Sequence, residues 1–174
     1  MRHVILCDQN GNSTSQSDLH TAHAGEGKLH RAFSVFVFRN SQRELLMQRR
    51  SLDKPLFCGL WANTCCSHPQ EGEDDREAAE KRLREECGFS CPLSAIASFV
   101  YRAPDPSENG TEYEYDTIFV GDLTKPVTLN ADPKEVMELK WQSLENIIRD
   151  MTHHAKLYAP WFPLALHAIF SKTS

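Results

Sequence analysis

The chain has 174 residues, of which 40% are hydrophobic and 25% charged, with 19 basic against 24 acidic side chains and a net charge of -5. That length suits one domain of ordinary size with a core that needs no covalent staples, and residues 1–174 read as a single unit without repeat, linker or low-complexity tract. The acidic balance offers nucleic acid no cationic footprint and no apolar run reaches the length of a membrane span, so neither partner is expected.

The six cysteines, Cys7, Cys58, Cys65, Cys66, Cys87 and Cys91, lack paired metal-finger spacing, and no apolar signal segment precedes them. Reduced thiols and a cytoplasmic location are therefore expected. Along the chain, His3–Asp8 reads as a short buried strand closed by the turn formers Gln9–Asn12. Residues 13–28 have no period and carry His20, His23, Gly25 and Gly27, the pattern of a loop able to bring histidines to a centre. Ala32–Phe38 and Glu44–Arg49 read as a hairpin around Asn40-Ser41-Gln42, with His30 at its entrance.

Glu73–Cys87 is the clearest helix, with an Asp74-x-x-Glu77 start and Gly88 as its stop. Ala79, Leu83 and Cys87 form its apolar stripe, and Arg82 and Glu86 an adjacent charged one. Ile96–Arg102 and Glu112–Val120 read as a strand pair, and Val136–Trp141 as one more strand. Ser143 caps a helix to about Met151, and Pro163 starts a last one. Strands interrupted by few helices imply an α+β fold, a mixed sheet between helices.

The run Asn63-Thr64-Cys65-Cys66-Ser67-His68-Pro69 sets a thiol two residues from an imidazole. In an extended segment Cys66 and His68 share a face while Cys65 takes the other, so one thiol can work while its neighbour packs. Glu112-Tyr113-Glu114-Tyr115 alternates acid and aromatic. On a strand the two carboxylates share a face, either solvated or acting as hard ligands for a divalent cation. His23, His30, His68, Glu112 and Glu114 together offer three neutral imidazoles and two anions, which balance one M²⁺ and suit Mg, Mn, Fe or Zn. His3, His20, His153, His154 and His167 have no comparable companions and read as structural.

These residues together, with Leu29–Ser34 and Pro160-Trp161, resemble the type I isopentenyl diphosphate isomerases, a family with a Nudix-like fold, and the likeness covers nearly the whole chain. The resemblance implies interconversion of isopentenyl and dimethylallyl diphosphate in isoprenoid precursor biosynthesis, by proton addition and removal through a tertiary carbocation. It implies Cys66 as the active thiol and Glu114 as proton donor or relay opposite it. It also implies His23, His30, His68, Glu112 and Glu114 as ligands of Mn²⁺, Mg²⁺ or Zn²⁺, and Glu86 as holder of a substrate-linked Mg²⁺. Arg50, Lys54 and Arg82 match diphosphate-binding residues, and Trp61, Tyr101 and Trp161 match the walls of the five-carbon pocket. The expected partner is thus a small isoprenoid diphosphate, bound by a monomer or weak homodimer.

The chemistry has its own demands. An alkene protonated to a tertiary cation must be kept from water, and an aromatic wall facing that cation contributes roughly 0.5–2 kcal/mol. An ordinary thiol, with a pKa of about 8.5, both gives and takes protons near neutrality. One departure from the family is Leu19, which stands where bacterial members usually carry a lysine; either His20 or Lys28 supplies that cation or the diphosphate is held more weakly without it.

The nearest rival is a Nudix pyrophosphohydrolase. Its helix motif, Arg-Glu-apolar-x-Glu-Glu-x-Gly, becomes Lys81-Arg82-Leu83-Arg84-Glu85-Glu86-Cys87-Gly88 here, with a cation where a metal-binding carboxylate belongs. A thiol switch built on Cys65-Cys66 is disfavoured because adjacent cysteines bridge only with strain.

Overall fold

In the computed structural model, which describes residues 2–171 and so leaves the extreme ends of the 1–174 span outside it, the other strands assemble around β3 (His30–Arg39). Phe33, Val35 and Val37 project from one face of β3 and Phe36 and Phe38 from the other, all of them almost inaccessible to solvent. A strand apolar on both faces must be covered on both.

The remaining strands are β1 (His3–Cys7), β2 (Ser13–Asp18), β4 (Glu44–Arg50), β5 (Trp61–Ala62), β6 (Cys65–Ser67), β7 (Ser94–Pro104), β8 (Thr111–Leu123) and β9 (Val136–Ser143). They pair in the order β2-β1-β3-β4-β5, with β6 and β8 also on β3, β7 on β8 and β9 on β4. β8 runs parallel to β3, whereas the hairpin pairs β1–β2 and β7–β8 are antiparallel, which makes the sheet mixed as expected.

Helix α2 (Asp75–Cys87) covers one face, its Ala78, Ala79, Leu83 and Cys87 packing with Phe33, Val35, Val37, Leu46 and Cys65. Helices α3 (Leu144–His154) and α4 (Trp161–Ser171) cover the other, where Ile147, Phe162, Ala165 and Ile169 meet Phe36, Phe38, Leu45 and Met47. The rings of Phe36 and Phe162 stack at 6.0 Å. Among the described residues, no helix is long and apolar enough to cross a membrane.

Most elements lie where the sequence pattern places them, with shifts at the ends. Asp74 accepts hydrogen bonds from the backbone N–H of Arg76 and Glu77, so α2 begins at Asp75 rather than Glu73. Ser143 caps α3 as expected, but that helix continues to His154, and α4 begins two residues ahead of Pro163. The larger difference is at residues 13–28, expected as a loop: Ser13–Asp18 forms β2 and Leu19–His23 the short helix α1. β2 is a polar edge strand with no buried side chain, so it has no hydrophobic alternation to read, and its pairing with β1 is a matter of backbone hydrogen bonds.

Gly88 ends α2 in the left-handed region, at φ +80°, and donates its N–H to Arg84 O. A Cβ there would stand 2.5 Å from the Asn130 carbonyl oxygen, a backbone atom held in place by the hydrogen bond that Asn130 N–H donates to Cys87 O. Gly88→Ala is expected to lower stability by about 1–3 kcal/mol through the strained φ and the contact together, measured by urea unfolding.

Candidate active site

Strand register assembles the site. His30 on β3 lies opposite Glu114 on β8, and Tyr101 on β7 lies opposite Glu114 from the other side. On the flank of β3, Ser34 pairs with Cys66 of β6. His68 follows β6 directly, and α1 carries His23 in its last turn, its start capped by Asp18 accepting from Thr21 N–H. The alternation on β8 turns Glu112, Glu114 and Asp116 inward and leaves Tyr113 and Tyr115 half-buried, so the acids do not form the solvated face that was one of the two readings of the pattern.

The ligand atoms of His23, His30, His68, Glu112 and Glu114 all lie within 4.8 Å of one another. His23 Nε2 is 3.3 Å from His30 Nε2 and 3.1 Å from Glu112 Oε2, while Glu114 Oε1 is 2.9 Å from His68 Nε2 and 3.6 Å from His30 Nε2. Nδ1 of His30 lies 2.7 Å from the Lys28 carbonyl oxygen, which can only accept, so Nδ1 carries the proton and Nε2 turns a lone pair inward. Glu112 Oε2 is buried, and the nearby His23 Nε2 makes no aligned hydrogen bond to it. A lone pair, an unpartnered carboxylate oxygen and two anions facing one centre are mutually repulsive unless a cation joins them, so the residues present fit a divalent metal site.

Burial works to raise Glu114, yet the imidazoles of His30 and His68 set against it hold its carboxyl well below the usual range. Burial and the neighbouring Glu114 raise Glu112, and burial drives His68 down to about 3, so that imidazole is neutral and able to coordinate. The Tyr101 hydroxyl donates to Glu114 Oε2 at 2.5 Å, and burial beside the three acids keeps it protonated.

Cys65 is fully buried against α2, whereas Cys66 is half-buried on the opposite face and lines a cavity of about 180 Å³, as their parity requires. His23, His68, Glu112, Glu114, Tyr101 and Trp161 line the same cavity. The ordinary thiol expected at Cys66 is corrected: burial pushes it up to about 12, Arg50 opposing and Asp116 adding to the rise. Ser34 Oγ, which donates to Asp116 Oδ2 at 2.8 Å, lies 3.7 Å from the sulfur. Neither Ser34 nor Asp116 was singled out by the sequence, although Asp116 continues the inward alternation of Glu112 and Glu114.

The expected cations are arranged unevenly. Arg50 lines the cavity, donates to Phe57 O and Leu56 O at 3.1 and 2.8 Å, and lies over the Trp161 ring at 5.2 Å. Lys54 also lines it but is paired with Glu135, which accepts from Arg82 as well, at 3.1 Å. Arg82 itself lies behind this wall, 2.5 Å from the fully buried Glu86, which also accepts from Gln48 at 3.1 Å. Burial works to raise Glu135, but Lys54 and Arg82 bring it down to about 2.

Trp61 is a correction. Ala62 joins the cluster around Trp161, so the neighbouring Trp61 faces the other side of the sheet and lines a separate cleft of about 430 Å³ with Met47 and Tyr158. Of the two readings open at Leu19, a substitute cation from His20 or Lys28 is not found in the cavity. Leu19 lines the cavity, whereas His20 and Lys28 are exposed and do not, and the basic side chain that lines it with Leu19 on this side is Arg2. Its guanidinium donates to Ser67 Oγ, and its backbone carbonyl accepts from Leu19 N–H. A lone arginine ahead of a strand carries no signal by which sequence alone could have found it.

Two outcomes follow for the metal-stripped protein. Adding Zn²⁺ or Mn²⁺ should raise its melting temperature, by the equivalent of about 4 kcal/mol at a thousandfold excess over Kd, and His68→Ala should abolish that rise. In iodoacetamide at pH 7.5 the exposed Cys58 should be alkylated quickly, while Cys66 should react appreciably only as pH climbs toward about 12, followed by peptide mass mapping.

Residues 28–163 match the NUDIX domain family model. The chain is 43% identical to the isopentenyl-diphosphate Delta-isomerase of Halorhodospira halophila, over 93% of this chain and 91% of that protein. It is 40% identical to isopentenyl-diphosphate Delta-isomerase 2 of Photorhabdus laumondii, over 95% and 91%. Among solved structures, a protein from Deinococcus radiodurans superposes with a TM-score of 0.74 at 18% identity, covering 96% of this chain and 99% of that one. The NUDIX domain of Shewanella oneidensis NrtR superposes with 0.62 at 14% identity, over 84% and 88%. The fold is therefore the Nudix fold, and the chain belongs to the isopentenyl-diphosphate Delta-isomerase family.

Proposed function

We propose that this protein interconverts isopentenyl and dimethylallyl diphosphate, with Cys66 and Glu114 exchanging protons with the five-carbon chain. The observation that carries this reading is that one small cavity is lined by a thiol, a carboxylate, an indole and cationic side chains together.

Moving a double bond this way needs one group holding a proton and another able to accept one, both facing the same hydrocarbon. The resting side chains supply S–H at Cys66 and an ionised carboxylate at Glu114. Tyr101 O–H, on Glu114 Oε2, is the contact through which that carboxylate can exchange its proton. Turnover shifts the proton from one side to the other, and the resulting pair is the one that the reverse reaction needs.

His23, His30, His68, Glu112 and Glu114 would hold the divalent ion. When bound, it supplies the positive charge that joins the two carboxylates and sets the acidity of a proton on Glu114. Trp161, with Tyr101 at 5.9 Å and Phe57 edge-on at 5.5 Å, encloses the hydrocarbon in aromatic surface and excludes water from the cation.

The diphosphate would be held by Arg2 and Arg50, neither of which has a carboxylate partner among the described residues, and by Lys54 and Arg82 once they turn from Glu135 and Glu86 to phosphate oxygens. In this reading Glu86 meets a Mg²⁺ carried in on the substrate. Binding energy gathered at the diphosphate positions the alkene between thiol and carboxylate.

Incubation with isopentenyl diphosphate in deuterated water should give dimethylallyl diphosphate carrying deuterium, and chelation should stop it; unlabelled product, or phosphate release in place of isomerisation, would sink the proposal. Cys66→Ala should lower kcat about 100- to 10,000-fold, whereas Cys65→Ala should cost about 1 kcal/mol of stability and little activity, by steady-state kinetics and chemical unfolding. Arg2→Gln should raise KM about tenfold with kcat nearly unchanged.

A further inference from the structure

Asn63 lies in the same run as Cys66, is completely buried, and has no part in the chemistry described so far. Its Nδ2 donates to Val35 O at 3.1 Å and to Cys65 O at 2.8 Å. Both partners can only accept, so the amide cannot be turned over, and Oδ1 must face the other way. There it receives Trp161 Nε1–H at 3.0 Å and Cys66 Sγ–H at 3.1 Å. Indole nitrogen is only a donor, and a thiol beside a carbonyl oxygen already engaged by that donor is held with its proton pointing at Asn63. All the hydrogen-bonding capacity of the amide is thus used, with two donors on backbone from β3 and β6 and two acceptor sites on groups that face the cavity.

From this geometry we infer that Asn63 is a positioning residue, which couples the reacting thiol to the aromatic wall and sets both against the substrate. A thiol hydrogen bond alone leaves rotation about Cα–Cβ weakly restrained, and an indole in an aromatic cluster alone can slide in its plane. Sharing one fixed oxygen removes both freedoms at once. The consequence for catalysis is geometric: thiol and indole keep one mutual placement, and Asn63 itself touches neither substrate nor metal ligand. The inference rests on the isomerase reading for its catalytic consequence, but the coupling itself can be read without activity.

The experiment compares the ¹H–¹⁵N indole resonances of the wild-type chain and Cys66→Ala. The chain has three tryptophans, and loss of a signal in Trp161→Phe identifies the relevant one. Removing the S–H gives Oδ1 wholly to the indole, so the Trp161 signal should shift while those of Trp61 and Trp141 stay in place. In parallel, Asn63→Ala and Asn63→Leu should lower kcat about 10- to 100-fold with KM within about twofold, since the diphosphate contacts lie elsewhere. A Trp161 signal unmoved in Cys66→Ala, or a folded Asn63→Ala with wild-type kcat, would overturn the inference. If neither Asn63 variant folds, the indole shift alone decides it. A wild-type protein that binds metal but does not isomerise would count against the proposed function, and the indole shift would still report whether Asn63 links the two groups.

Discussion

Three acids on one face of β8, each almost shut off from water, are the constraint to which the site answers. Glu112, Glu114 and Asp116 repel one another in a low-dielectric space, and each has to be met by something specific. Glu114 is met by two imidazoles and a phenol, Asp116 by the Ser34 hydroxyl, and Glu112 by His23 alone, whose Nε2 lies 3.1 Å from Oε2 without an aligned hydrogen bond. What remains unanswered in that row is positive charge, and the three histidine nitrogens stand where an ion would provide it. The parallel pairing of β3 with β8 is thereby more than scaffold. A slip of one residue would carry His30 away from Glu114 and turn every acid to the other face.

The opposite wall answers a different requirement. Cys66 must be dry enough to keep its proton and open enough to reach a ligand, and it lies where the sheet meets the aromatic cluster of Phe57, Tyr101 and Trp161. Cys65, one residue away, is spent on packing against α2. Between the two walls the cations fall into separate classes. Among the described residues, Arg50 and Arg2 face the cavity without a carboxylate partner, while Lys54 and Arg82 are held by Glu135 and Glu86. In the proposed function an arriving diphosphate finds two guanidinium groups ready and draws the others into play by competing with carboxylates for them.

The residues separate this chain from Nudix hydrolases at one point in particular. Arg82 occupies a position where the hydrolase motif carries a glutamate, and it is turned onto Glu86 at 2.5 Å. Nudix architecture is kept, including the helix that packs on β3, while a cation bonded to Glu86 stands on that helix in place of the motif's carboxylate.

Much of this was legible in the chain itself. Period-two and helical patterns located β3, β4, β7, β8, β9, α2 and α3, because long buried elements imprint their periodicity on side chains. Alternation separated Cys66 from Cys65 and put Glu112 and Glu114 together, and the five metal-suited residues could be named before any contact was known. β2 and α1 left no such imprint, being short, polar and held by backbone bonds. Trp61 could not be assigned to a face, because a two-residue strand has no period. Arg2, Asp116 and Asn63 became visible only when distant segments met: what matters about each is a partner 65 to 98 positions away, Ser67 for Arg2, Ser34 for Asp116 and Trp161 for Asn63. Sequence by itself determined which chemical groups the protein possesses and which side of a strand each one takes, since both follow from residue type and local geometry. Only the tertiary structure decided which groups stand free and which are already held by a partner, because that depends on strand register and on charges brought together from far along the chain.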